Sequence, residues 1–320
     1  MINRSKANYV TLKHKSFFLV SVFILVLAGT SIASEKAKLN KKYPSSKALR
    51  SMARVYMAYG EYAKAQPLAE QALTLAKRNK VSDSELATCL IDLATLYDYK
   101  GKLAEAEKIC KSGLQLQKKV LYENHPYLAY TLRTLSSIYQ QQGKYDEAEA
   151  ALDNAMAIML NSHSTDDKAM APFFVDIAKL YVLQDALEKA ESYYLKAMVL
   201  INNSYGQDHL YTANVLGNIA KLYTLQGRYS EAEELINRTV AIQEKFYGPD
   251  HHFITSSWLT KAKICQIKGD YVQAENLIRK ALAAVEKTGN TAAFTKLEQD
   301  VKEIRISKQV AYAQTERTIK

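Results

Sequence analysis

Histidine is the side chain that most often ligates a metal or moves protons near neutral pH, and this 320-residue chain has six of them. Three of these, His125, His209 and His251, each stand 18 residues ahead of a glycine: Gly143, Gly227 and Gly269 respectively. Metal ligands must converge to ~2 Å of one ion. Residues holding equivalent places in successive packed units lie ~10 Å apart, so these three cannot share a metal, and each is expected to help start a helix. The three cysteines, Cys89, Cys110 and Cys265, have no metal-ligand spacing. Cys110 and Cys265 fall where other units carry leucine, isoleucine or tyrosine, which reads as small buried hydrophobes. A Cys89–Cys110 disulfide is the rival reading in an oxidising compartment, although their register is poor for the required Cα separation. Glu147 and Glu149 pair like catalytic carboxylates but flank Ala148 on one helix, where a solvated face accounts for them. There is no glycine-lysine-serine/threonine phosphate loop and no glycine-x-serine-x-glycine elbow. No catalytic residue, metal ligand or cofactor-binding residue stands out, and an enzyme is not expected.

The elements behind these spacings repeat. Gly60, Gly101, Gly143, Asp185, Gly227 and Gly269 follow one another at 41 or 42 residues, the signature of stacked supersecondary units. Apolar or small residues recur 11, 8, 7 and 4 positions before each loop residue, the stripe of a buried helix face. They are Leu90, Leu93, Ala94 and Tyr97 in the second unit and Leu216, Ile219, Ala220 and Tyr223 in the fifth. The sixth gives Trp258, Lys261, Ala262 and Cys265, with lysine as the lapse. Positions 2, 5, 9, 12 and 13 after the loop repeat the pattern on a second helix, as in Tyr145, Ala148, Leu152, Ala155 and Met156. Each unit therefore reads as an antiparallel helical hairpin. The fifth position is alanine in all six copies (Ala65, Ala106, Ala148, Ala190, Ala232, Ala274). A small side chain there lets two helices approach to ~8 Å. The loop glycine supplies a left-handed turn, a conformation that Asp185 tolerates better than most residues.

The segment Leu216-Gly-Asn-Ile-Ala-Lys-Leu-Tyr-Thr-Leu-Gln-Gly-Arg-Tyr-Ser-Glu-Ala-Glu233, preceded by Tyr205-Gly-Gln-Asp-His209, resembles the 42-residue tetratricopeptide repeats of kinesin light chains. Similar text stands at Tyr247-Gly-Pro-Asp-His251 and at Glu123-Asn-His125-Pro126, and the resemblance covers residues 45–285. It implies an all-α, right-handed superhelix of six hairpins, with first helices lining a concave wall and second helices outside. It also implies a scaffold that binds other proteins, an asparagine at the Asn218 position that can clamp a ligand's backbone, and histidine at the start of the first helix.

Residues 1–33 stand apart. Arg4, Lys6, Lys13 and Lys15 precede an apolar run from Phe17 to Ala28, then Gly29-Thr-Ser-Ile-Ala33, where Ser31 and Ala33 occupy the small-residue sites of a signal peptidase. The run is short beside the ~20 residues of a membrane span, so a cleaved export signal and a periplasmic or secreted protein are expected. An uncleaved membrane anchor is the alternative. Residues 34–44 form a short lead. Phe294, Leu297, Val301 and Ile304 share one face of a capping helix within residues 286–310, since an open array must cover its last apolar side. Residues 311–320 are expected to be a disordered tail. Net charge is +10, but the first 33 residues hold four of the 43 basic residues and none of the 33 acidic ones, leaving 39 against 33, or +6. That excess lacks the arginine and aromatic clustering of a nucleic-acid binder.

A partner should meet first-helix residues that face away from the stripe, at 13, 10, 9 and 6 positions before the loop. At the last of these stand Arg54, Lys179, Lys221 and Lys263; Lys47, Arg50 and Arg133 share the face, as does Asn218. This cationic groove suits an acidic peptide segment of another protein or a free carboxylate; a hydrated helix face is the other reading. Asp92 and Asp176, nine before their loops, interrupt the positive field and could anchor the lysines. Val182, Leu183, Leu225 and Ile267 would either offer a partner an apolar strip or be buried between repeats.

Overall fold

The computed structural model describes residues 45–162, 167–286 and 291–319. Residues 1–44, with the expected export signal and lead, lie outside the described residues. Thirteen α-helices and no strand are found among the described residues. They pair as α1 Ser46–Ala58 with α2 Tyr62–Arg78, α3 Asp83–Tyr99 with α4 Leu103–Val120, and α5 Pro126–Gln141 with α6 Tyr145–Asn161. The series continues with α7 Asp167–Leu183 and α8 Leu187–Tyr205, α9 Leu210–Leu225 and α10 Tyr229–Tyr247, then α11 Thr255–Ile267 and α12 Tyr271–Glu286. A single helix, α13 Thr291–Ile319, follows.

The junction inside each hairpin is built the same way six times. The five loop glycines have φ between +70° and +83°, and Asp185 has φ +59°. That left-handed residue turns the chain so that the next N–H reaches back to the carbonyl five residues earlier: Glu61 to Tyr56, Lys102 to Tyr97, Lys144 to Tyr139, Ala186 to Tyr181, Arg228 to Tyr223 and Asp270 to Cys265, all at 2.8 or 2.9 Å. These bonds satisfy carbonyls that a helix end would otherwise leave open.

The alanines five residues after the loop are fully buried in all six hairpins. Each first helix packs against its own second helix and the second helix of the preceding repeat. First helices of successive repeats also touch, as in α1 with α3, α3 with α5, α5 with α7 and α9 with α11, whereas second helices do not pack on one another to that extent. The first helices therefore crowd the inside of the curve, and their outward-facing residues form its concave wall.

A carboxylate six residues after the loop latches one repeat to the next. Glu149 accepts from Tyr181 Oη at 3.2 Å and Gln184 Nε2 at 3.3 Å. Glu191 accepts from Tyr223 Oη at 2.9 Å, Gln226 Nε2 at 3.2 Å and Arg228. Glu107 takes Lys144, Glu233 takes Lys268, and Glu275 takes Arg305 of the cap. The solvated-face reading thus fails for Glu149, whose partners come from the next repeat; Glu147 is exposed as expected. Burial pushes the Glu191 carboxyl up, but the donors around it hold it below its ordinary value. The Glu107 carboxyl is drawn down to about 2, chiefly by Lys111 on its own helix.

The cap buries Leu297, Val301 and Ile304 against the last hairpin, with Phe294 beside them. Its helix runs through residues 311–319, which the sequence reading left as a disordered tail. No proline or glycine interrupts that stretch, and most of its residues are good helix formers. At the start of the sixth repeat, His252 lies in a 3-10 turn, His252–Ile254, that leads into α11. It faces the Tyr59 carbonyl and Glu61 at the first hairpin's loop. The start of repeat six therefore lies near the loop of repeat one.

Candidate functional site

The three spaced histidines are helix caps, as their spacing predicts. His125, His209 and His251 each accept, through Nδ1, the backbone N–H two residues on, from Tyr127, Tyr211 and Phe253 at 3.1, 3.1 and 3.3 Å. Each ring is held by neighbouring aromatics; His209 lies 4.6 Å from the Tyr205 ring and 5.1 Å from Tyr211. Burial pushes His209 below its ordinary pKa, and it does the same to His251, where His252 adds to the effect. Among the described residues no group of three or more His, Cys, Asp or Glu is arranged to hold a metal. All three cysteines are free and buried, so Cys89 and Cys110 are not bridged. Burial raises each thiol, Cys110 to about 12 with help from Asp98, which keeps them protonated and unreactive.

On the concave wall the two halves differ. In the first, Asp92 is buried and gives one carboxylate oxygen to each of two arginines of the preceding repeat: Oδ2 to Arg50 Nε at 2.7 Å and Oδ1 to Arg54 Nη2 at 2.7 Å. Asp98 is buried too, and accepts Ser137 Oγ at 2.9 Å and Gln141 Nε2 at 2.6 Å. Burial raises its carboxyl, partly offset by the Ser137 bond. Arg133 repeats the Arg50 arrangement, pairing with Asp176 of the next repeat and leaning on the Phe173 ring 5.8 Å away. Asp176 also holds Lys179 at 3.1 Å. The two aspartates do anchor cations, but three of the four are arginines reaching across a repeat boundary. Of the groove residues named from sequence, Arg50, Arg54, Arg133 and Lys179 are thus joined in clasps between or within repeats, while Lys47 is exposed at the first helix's start.

The second half keeps its charge open. Lys221 Nζ donates to Ser256 Oγ at 3.0 Å and has no carboxylate partner among the described residues. Desolvation of the amine, and after it the nearby Lys179, push its pKa down, although the residue as a whole is exposed. Lys263 is exposed and unpaired among the described residues. Asn218 donates to Asn214 Oδ1 at 3.1 Å, one turn back on the same helix. Beside them a slot of about 150 Å³ descends between α9 and α11, lined by Asn214, Gly217, Asn218, Lys221, Gln243 and Ser256. Gly217 lets α9 approach α10 closely here, since an added Cβ would come within 3.3 Å of Thr239. The Gln243 Oε1 at this site is buried without a hydrogen-bond partner among the described residues. Just past the lysines, Leu183, Leu225 and Ile267 are 48%, 62% and 40% exposed, whereas Val182 packs into the core. The sequence reading left this choice open, and the structure divides the four residues between its two alternatives.

Comparison with known proteins agrees with this architecture. The tetratricopeptide repeat profile matches residues 170–245 and 225–287, and that of the MalT-like tetratricopeptide region matches residues 31–172. No curated protein sequence matches the chain. Among solved structures, BtubC (BKLC) from P. vanneervenii is similar over 72% of this chain and 91% of its own, with TM-score 0.55 and 21% identity. A Rap protein complexed with competence and sporulation factor gives TM-score 0.65 at 10% identity, over 88% of this chain and 80% of its own. Aspartyl phosphate phosphatase F from Bacillus subtilis gives 0.56 at 14% identity, over 87% of this chain and 75% of its own. At these identities the likeness carries the fold alone. With the two profiles adjoining along the array, six hairpins in phase and a cap closing the stack, the chain is a tetratricopeptide repeat protein.

Proposed function

We propose that the chain is an exported, non-enzymatic scaffold whose concave wall holds a peptide segment of another protein and favours acidic sequence. The observation that carries this is the row of Lys179, Lys221 and Lys263 on one face of three successive first helices, in which Lys221 and Lys263 have no carboxylate partner among the described residues. An incoming carboxylate would relieve that charge through contacts worth ~1.5–3 kcal/mol each when partly desolvated. The Rap protein, solved in complex with competence and sporulation factor, supports a protein or peptide partner for this fold. Export rests on residues 1–33. The test is replacement of Lys179, Lys221 and Lys263 by alanine: partner capture should weaken tenfold or more and lose most of its salt dependence. Unchanged capture would remove the lysines from the account.

The alternative is a membrane-tethered assembly factor that keeps residues 17–32 as an anchor. Among the described residues no helix is long and apolar enough to cross a membrane. Mass measurement of the protein made in its own cells separates the two. Loss of residues 1–33 supports release, and a full-length protein in the membrane fraction supports the tether.

A further inference from the structure

The first helices of repeats four to six end on Leu183, Leu225 and Ile267, each four residues after Lys179, Lys221 or Lys263. Residues four apart on a helix stand one above the other. Three repeats in succession therefore present the same pair, a cation and, one turn nearer the hairpin loop, an exposed aliphatic side chain. In the earlier repeats the aliphatic position is filled by Ala58, Tyr99 and Gln141, and Tyr99 is stacked on Tyr62 with ring centroids 5.4 Å apart. We infer that repeats four to six bind an amphipathic acidic segment of a partner protein, with one edge carrying carboxylates along the lysine row and the other carrying aliphatic or aromatic residues along the Leu183–Leu225–Ile267 row. This rests on the groove reading proposed above and adds to it a second requirement and a place.

The spacing sets the partner's sequence period. Neighbouring first helices lie ~10 Å apart, which a polyproline II segment covers in one three-residue turn at ~3.1 Å per residue and a helix in about seven residues, close to two turns, at 1.5 Å each. Acidic residues should thus recur every third or every seventh position, each accompanied by an apolar neighbour. Charge complementarity selects this occupant. A purely apolar segment would leave Lys221 uncompensated, and a purely acidic one would leave the three aliphatic side chains in water.

The experiment is selection of a random 16-residue display library on the purified protein, followed by fluorescence anisotropy of the best peptides. Two variants serve as comparison: Leu183→Gln/Leu225→Gln/Ile267→Gln and Lys179→Gln/Lys221→Gln/Lys263→Gln. All six side chains lie on the wall, so both variants should keep the wild-type circular dichroism. The expected result is enrichment of sequences with the acidic and apolar period, whose affinity falls at least tenfold in each variant. Binding lost in the lysine variant but kept within twofold in the aliphatic variant overturns the inference and leaves the acidic-groove reading standing. Binding kept in both variants, or no enrichment at all, overturns both.

Discussion

At the scale of single residues, two capping histidines and one buried aspartate make opposite predictions about pH. His209 and His251 accept a backbone N–H through Nδ1, which requires the unprotonated nitrogen, and burial holds both below the ordinary histidine value. The folded state therefore binds fewer protons than the unfolded chain around pH 6, so their contribution is complete above about 6.5 and is lost as pH falls through the lowered values. Thermal midpoints measured from pH 7.5 down to 5 should decline, and His209→Ala, costing about 1 kcal/mol as lost caps do, should flatten part of that decline. Asp98 works in the other direction. Its carboxyl is raised by burial, so the folded state holds the proton longer and stability drops as pH rises through the raised value. Asp98→Asn keeps an acceptor for Gln141, and its amide can donate to Ser137, whose hydroxyl is free to turn. The variant should be more stable than wild type at pH 7, by roughly 1 kcal/mol, the net worth of a hydrogen bond, and should lose that advantage near pH 4. A large loss at pH 7 would mean that the Asp98 charge is compensated.

At the scale of the helical hairpin, the fold was legible because its requirements are local and repeated. A left-handed loop residue and a fully buried alanine five positions later must recur in every copy, and they do. The one exception gives a signed prediction. Asp185 adopts φ +59° without glycine's freedom, so Asp185→Gly should stabilise the array by about 1 kcal/mol, whereas Gly143→Ala, forced to φ +74°, should cost ~1–2 kcal/mol. Paired urea titrations would check both signs, and a destabilising Asp185→Gly would show that the aspartate side chain makes a contact the turn needs. What the sequence did not disclose is the latch six residues after the loop. Glu149 and Glu191 look like solvent-facing carboxylates within their own hairpins, because their donors come from the next repeat, 32 to 37 residues along the chain. The signal was present in Gln66, Glu107, Glu149, Glu191, Glu233 and Glu275, a polar acceptor at one fixed register. The groove was legible in part for the same reason. Its cations could be placed on one face, but which of them Asp92 and Asp176 would take depends on side chains of neighbouring repeats and is settled only by packing. Glu191→Ala, which strips Tyr223, Gln226 and Arg228 of one shared acceptor, should cost about 1–3 kcal/mol in the same titrations and leave hairpin helicity unchanged.

At the scale of the whole molecule, an ideal solenoid is a one-dimensional stack in which each repeat senses only its neighbours. A lesion in repeat six should then fade before it reaches repeat one. This array departs from that picture, because His252, half-buried at the threshold of repeat six, lies near the Tyr59 carbonyl and Glu61 in the loop of repeat one. The two lie nearly 200 residues apart in the chain, and this proximity is expected to couple the end that carries the Asp92 clasp to the end that carries the lysine and aliphatic rows. Hydrogen exchange distinguishes the two pictures. His252→Ala should speed exchange of the amides of Gly60 and Glu61, which bond back to Met57 and Tyr56, by several fold, while repeats three and four, lying between in sequence but not at the contact, keep wild-type protection. A neighbour-only stack predicts instead that any effect decreases steadily from repeat six through five and four and is absent in repeat one. If exchange at Gly60 and Glu61 is unchanged in His252→Ala, the two ends are independent, and the curvature of the concave wall is set by the neighbour interfaces alone.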